Sequence, residues 1–216
     1  MNIEYAVFDM DGTLLDTMTY WHNIYPKYID MKGYDKSIVD QETLLKIDYM
    51  TTRQAIEYLK ENFDCEAIRN ITEDTVYEVM EEYYKEVTSP RIGVSKLLNL
   101  LKENNIPMGV ISATPTRLVK QALKNAGIYN YFEFILSPDD YPKCKNDPEI
   151  FKAAARNFGC DVTQLTLFED ALYSMKTAKQ LGIKIVAIKE KYELRHLEEI
   201  KKTADIVLNE FTEFEL

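Results

Sequence analysis

The sequence predicts an open parallel α/β sheet with helices on both faces, interrupted by an all-helical insertion. Three observations carry that reading. Five short apolar runs and a weaker sixth are apolar almost throughout, as strands are when both faces of a sheet are covered. Stretches with helical spacing separate most of them. About a hundred residues lie between the first run and the second, far more than a single crossover helix needs.

The first run is Tyr5 to Phe8. From Thr17 to Ser89 no strand-like segment occurs; apolar residues recur instead at helical spacing, as in Tyr20, Ile24 and Tyr28, in Ala55, Ile56 and Leu59, and in Val76, Val79, Met80 and Tyr83. Extra helices packed on the sheet would give the same pattern. The expected division is nonetheless a sheet domain made of 1–16 and 90–216, with 17–89 as a helical domain of its own. Leu97, Leu98, Leu100 and Leu101 mark a helix leading into the second run, Met108 to Ile111. The next helix runs through Leu118, Val119, Ala122, Leu123 and Ala126 and stops at Gly127. Phe134 to Leu136 follows, then a helix that Pro148 opens and Gly159 closes. Leu165 to Phe168, a helix ending at Gly182, Ile183 to Ile188 and the weaker Ile206 to Leu208 complete the order of a Rossmann-like sheet.

With 216 residues, 46% hydrophobic and 29% charged, the chain can bury a core without disulfides or structural metal. The net charge of −10, with no basic run longer than two, argues against nucleic acid as a partner. Cys65, Cys144 and Cys160 are few and widely spaced, which excludes a disulfide framework and a zinc knuckle. No basic leader and no run approaching 18 apolar residues is visible. The expectation is a cytoplasmic protein with no membrane partner, monomeric in preference to oligomeric.

The sharpest signal is Phe8-Asp9-Met10-Asp11-Gly12-Thr13. Asp9 ends a strand, and residues two apart on extended chain point to one face, so Asp9 and Asp11 aim into the space where open α/β sheets bind ligands. Gly12 permits a sharp turn. Two carboxylates so close need a cation or a shared proton, and oxygen-only ligands suit Mg²⁺. Four fixed residues arise by chance at about one position in 10⁵, so a mere Asp-Gly turn is the weaker reading. Three further signals follow, two of them at later strand ends. They are Ser112 in Val110-Ile111-Ser112-Ala113-Thr114, Lys145 ahead of Pro148, and Glu169-Asp170 after Leu165 to Phe168. Each has a plainer reading. Ser112 could cap the helix before Thr116, Lys145 and Lys143 could lie on the surface, and the acidic pair could cap the next helix.

Taken in order, these four signals resemble the motifs of the haloacid-dehalogenase-like superfamily of phosphate-handling enzymes. The likeness covers nearly the whole chain. Asp9 to Thr13 match D-x-D-G-T/V, Ser112 the Ser/Thr of the second motif, Lys145 the Lys of the third and Glu169-Asp170 the acidic pair of the fourth. Asn146 departs from the Pro common after that Lys. The helical insertion resembles the small cap of the subgroup holding phosphoglycolate phosphatase and β-phosphoglucomutase. The resemblance implies an Mg²⁺-dependent phosphatase acting on a small phosphorylated metabolite. Asp9 would be the nucleophile and Asp11 the general acid and base. Ser112 and Lys145 would act on the phosphoryl group, with Gly12, Thr13 and Ala113 lining its site. Mg²⁺ would be held by Asp9, the Asp11 backbone and Asp170, with Glu169 binding it directly or through water. Dehalogenases of the superfamily lack the second Asp, so Asp11 favours phosphoryl transfer.

Trp21, His22, Lys46 and Arg53 are the candidates in the insertion for contact with substrate. Trp21 serves equally as a core aromatic of the first helix. Lys46 and Arg53, seven apart and read as one helical face, serve equally as solvated surface. β-Phosphoglucomutase-like enzymes carry a His where this sequence places Trp21, with His22 beside it, which lowers the mutase alternative. A non-catalytic phospho-receiver is the third reading, opposed by the length and the insertion.

Overall fold

The computed structural model of the chain describes residues 2–47, 50–87, 89–142 and 144–216. They fall into two compact units, Met1–Asp16 with Val87–Leu216, and Thr17–Glu86.

The first unit is built on a six-stranded sheet ordered β3-β2-β1-β4-β5-β6. Its strands are β1 (Tyr5–Phe8), β2 (Met108–Ile111), β3 (Ile135–Leu136), β4 (Leu165–Glu169), β5 (Lys184–Ile188) and β6 (Ile206–Leu208). Every pairing is parallel. The strand order reverses at β1, which pairs with β2 on one side and β4 on the other. That reversal opens a crevice beyond the carboxyl ends of the strands, the place where such sheets bind ligands.

The alternation of each strand sends its residues to two covered faces. Val7, Leu165, Leu167, Ile185 and Ala187 join a buried cluster with Ile150, Phe151 and Ala154, Leu172, Met175 and Ala178, and Ile200. Phe8 and Phe168, paired in register, face the other way and stack at 4.4 Å between ring centroids. Phe132 meets Phe8, and Phe211 and Phe214 meet Phe168 on that side. Burying one such side chain fully contributes about 1.5–3 kcal/mol. Gly109 in β2 lies under the Phe134 ring, where an added Cβ would come within 2.4 Å of a ring carbon. The expected third strand begins at Phe134, but β3 begins at Ile135, although the Phe134 carbonyl still accepts from Val110.

The described residues of Thr17–Glu86 form six α-helices, α1 (Met18–His22), α2 (Ile24–Met31), α3 (Gln41–Ile47), α4 (Thr52–Asn62), α5 (Glu66–Asn70) and α6 (Glu73–Glu86). Ile24, Tyr28, Ile29, Leu59, Ile68, Val76 and Met80 form its buried apolar surface. A separate α4 overturns the single helical face expected for Lys46 and Arg53. Thr51 and Gln54 exchange the two bonds of a capping box, which starts a new helix between them. The sheet unit continues with α7 (Val94–Glu103), α8 (Thr116–Asn125), α9 (Pro148–Phe158), α10 (Leu172–Gln180) and α11 (Leu197–Thr203). No helix among the described residues is long and apolar enough to cross a membrane.

Candidate active site

The carboxyl ends of β1 and β4 are held side by side by the parallel ladder, and the Asp9 amide extends it by donating to the Phe168 carbonyl at 3.0 Å. Asp9 thereby stands next to Glu169 and Asp170. The carboxylates of Asp9, Glu169 and Asp170 each bring an oxygen within 4.8 Å of the others, and all three residues are buried. Lys145 reaches them from a short 3₁₀ turn, Cys144–Asn146, just ahead of α9. Its Nζ lies 2.9 Å from Asp9 Oδ1 and 2.9 Å from Glu169 Oε2, with the side chain only 2% exposed. The Tyr173 ring flanks the same ammonium at 5.9 Å. The other Glu169 oxygen accepts from the backbone N–H groups of Asp170 and Ala171, both at 3.1 Å. Thr13 Oγ1 donates to Asp170 Oδ1 at 2.8 Å.

One ammonium against three carboxylates leaves a formal surplus of two negative charges in a dry place. Burial, and after it the charge of Glu169, raises Asp9 well above the usual carboxylate range, while Lys145 acts in the opposite direction. Burial, then Asp9 and Glu169, raises Asp170 in the same way. Burial by itself would lower Lys145, but Asp9 and Glu169 outweigh it and hold the ammonium well above its ordinary value. A cluster of this kind suits a hard cation that binds oxygen.

Asp11 sits two residues on, beyond the end of the strand, and its Oδ2 accepts from Thr114 Oγ1 at 2.8 Å. Gly12 takes φ +84°, the left-handed turn that favours glycine. Its N–H donates to the Leu15 carbonyl at 2.8 Å, and Leu15 N–H donates to Met10 at 2.9 Å. From the end of β2, Ser112 is fully buried and its Oγ accepts the Thr114 N–H at 3.1 Å. An oxygen that accepts one N–H keeps its own O–H to give. Ser112 does not cap α8; Pro115 holds that position, and Asp139 accepts the Thr116 N–H. Ala113 between them is exposed. Cys144, beside Lys145, donates to the Ser112 carbonyl, and burial pushes its thiol up to about 11.

A family model described as haloacid dehalogenase-like hydrolase matches residues 6–188. The chain belongs to this family. Among these hydrolases, validoxylamine A 7'-phosphate phosphatase of Streptomyces hygroscopicus subsp. limoneus is 26% identical over 214 residues, 96% of this chain and 94% of that protein. A phosphorylated carbohydrates phosphatase of Thermotoga maritima is 23% identical, covering 84% of this chain and 82% of its own. The crystal structure of CbbY from Rhodobacter sphaeroides in complex with xylulose-(1,5)bisphosphate superimposes with a TM-score of 0.83 at 21% identity, over 98% of this chain and 96% of the other. That likeness establishes a shared fold. With phosphatases as its relatives, this dehalogenase-like hydrolase is an enzyme acting on phosphoric monoesters.

The structure of this hydrolase thus gathers Asp9, Lys145, Glu169, Asp170 and Thr13, and separately joins Asp11 to the Ser112–Thr114 turn. It treats the four candidates of the helical unit differently. Trp21 is half-buried and its Nε1 donates to the hydroxyl of buried Tyr84 at 3.2 Å. His22 is buried at the end of α1. Lys46 pairs with exposed Glu42 one turn away, and Arg53 with Glu73 of α6. Lys143 lies outside the described residues. The sequence reading missed Thr114, two residues after Ser112, whose spacing was a usable signal. It also missed Arg91 and Glu190, ninety-nine residues apart, for which no local pattern exists.

Proposed function

We propose that this hydrolase cleaves a small phosphorylated metabolite through an aspartyl-phosphate formed on Asp9, with Mg²⁺ as cofactor and the segment 17–89 as a cap that excludes water and selects the substrate. The observation that supports this best is the Lys145 ammonium, 2.9 Å from Asp9 Oδ1 at the carboxyl rim of the sheet with Asp170 alongside. Phosphate monoesters are among the slowest substrates known, with accelerations approaching ~10²¹, so several effects must combine.

In this reading an Asp9 oxygen attacks phosphorus and the ester oxygen leaves. Asp11 gives that oxygen a proton, then takes one from the water that releases phosphate and regenerates Asp9. The Thr114 hydroxyl holds the Asp11 carboxylate in place for both transfers. Lys145 offsets charge on Asp9 and the transferring group, and Ser112 donates to a phosphoryl oxygen. The backbone at Gly12, Thr13 and Ala113 completes the phosphate site. When bound, Mg²⁺ would be held by Asp9, the Asp11 carbonyl and Asp170, and would screen the repulsion between carboxylate and phosphate. Both Glu169 oxygens are already engaged by Lys145 and two backbone N–H groups, so Glu169 serves by holding Lys145.

The test is phosphate release from a panel of phosphorylated metabolites with Mg²⁺ present. Release is expected from at least one of them without a bisphosphate activator, and Asp9→Asn should abolish it. Full activity in Asp9→Asn would refute the nucleophile. Interconversion of sugar phosphates without net release would favour a mutase, and stable phosphorylation without turnover would favour a receiver.

A further inference from the structure

Arg91 stands five residues after the helical unit ends at Glu86, on the segment that returns to the sheet. Its guanidinium is 17% exposed and pairs at 3.0 Å with Glu190, which is 4% exposed and follows the end of β5. The same nitrogen, Nη1, donates to the carbonyl of Gly12, and Nη2 donates to the Lys189 carbonyl at 3.2 Å. The Arg91 amide donates to the Leu14 carbonyl at 2.9 Å. Glu190 is anchored in turn, with its other oxygen accepting the Lys191 N–H at 2.9 Å. Both the main chain and the side chain of Arg91 therefore grip the turn Gly12–Leu14, and one buried carboxylate fixes the guanidinium. Gly12 is in the left-handed conformation; its N–H, in the peptide from Asp11, is given to Leu15, and its carbonyl, in the peptide to Thr13, is given to Arg91. Gly12 follows Asp11 directly, so the peptides on both sides of it are held. A rotation there would swing the Asp11 carboxylate away from Thr114, and small misplacements of a reacting group are costly in rate.

We infer that Arg91, anchored by Glu190, is a positioning residue that holds the Gly12 carbonyl and, through the Gly12 turn, sets the Asp11 carboxylate for proton transfer to the leaving oxygen. This rests on the role proposed for Asp11. A lysine in its place would keep one charge and lose the planar fork that reaches three acceptors.

The experiment compares kcat/KM for an alkyl phosphate and for 4-nitrophenyl phosphate in Arg91→Lys and Glu190→Gln, with Asp11→Asn as reference. An alkoxide needs a proton to leave and a nitrophenolate does not, and kcat/KM reports only the steps through the first transfer. In Asp11→Asn the alkyl substrate should lose more than the aryl one; equal losses there would count against the acid role itself. In Arg91→Lys the alkyl value should fall about 10- to 100-fold and the aryl value less than about threefold, within the ~10²–10⁴ that a general acid contributes. Equal losses on both substrates, or none, in a folded Arg91→Lys would overturn the positioning role alone. Should Arg91→Lys fail to fold, Glu190→Gln decides by the same ratio, since it leaves the guanidinium and removes only the charge of its anchor.

Discussion

Replacing Lys145 by Met removes, among the described residues, the cation paired with a cluster of three buried carboxylates, at nearly constant side-chain volume. The ammonium makes two contacts of 2.9 Å, to Asp9 and Glu169, and all three groups are essentially inaccessible. With an effective dielectric of 20, each contact corresponds to about 6 kcal/mol of Coulomb energy. The full sum is not lost, because a carboxylate stranded in a dry site takes up a proton. The measured loss should be the ~3–5 kcal/mol found when one partner of a buried pair is removed. The pH dependence follows from the same uptake. Asp9 and Asp170 already have raised pKa values, and losing Lys145 raises them further. A carboxylate whose folded pKa exceeds its unfolded value is best tolerated below the unfolded value, and its stabilising protonated form is lost as pH rises through the folded one. The deficit should therefore be small near pH 5 and large near pH 8. Urea unfolding at both pH values in EDTA measures it, with the double variant Lys145→Met, Glu169→Gln as partner. Removing one charge of each sign should restore part of the stability at pH 8 and none of the activity. A loss under about 1 kcal/mol, or one equal at both pH values, would refute the charge balance described for this site.

Two other outcomes are expected. Mg²⁺ should raise the thermal midpoint of the wild type in a concentration-dependent way, by an amount equivalent to about 2.7 kcal/mol at a hundred times its Kd, and Asp170→Asn should abolish the shift in differential scanning fluorimetry. Cys144 should resist iodoacetamide in the native protein at pH 8, because burial pushes its thiol from 9.0 up to about 11; since that pKa is raised, the associated stability is present below pH 9 and is lost as pH rises through about 11. Mass spectrometry of alkylated cysteines and a denaturation series up to pH 11 check both, and Cys144→Ala should remove about 2–3 kcal/mol of alkaline dependence.

What could be read from the residues and what could not divide along a physical line. Parallel strands announce themselves because both faces are buried, and the runs at Tyr5 to Phe8 and Met108 to Ile111 match the observed strands residue for residue. Asp9, Ser112 and Asp170 were visible because each ends or follows such a run, and a parallel sheet brings those ends to one rim, whereas Lys145 was marked by Pro148 three residues on. Lys46 and Arg53 misled because spacing on a helix assumes that the helix continues, and the Thr51 capping box ends that assumption. Thr13, a member of the first motif, turned out to serve Asp170 across 157 residues of sequence. Arg91 was invisible for the same reason: its partners Gly12, Lys189 and Glu190 meet it only in the folded chain.

The charge surplus that makes the cluster costly is also what gives it selectivity for its proposed ligands. A phosphate monoester dianion approaching Asp9, Glu169 and Asp170 in their ionised forms meets two more negative charges than Lys145 balances. Such an approach is repulsive unless a divalent cation arrives with it or before it, so the substrate and the proposed Mg²⁺ should bind with positive coupling. Lys145 alone does not supply that charge, because its single positive charge is already shared between Asp9 and Glu169. The imbalance thus links two properties measurable on the same protein, a folded state strained by its own carboxylates in EDTA and a substrate affinity that rises with Mg²⁺.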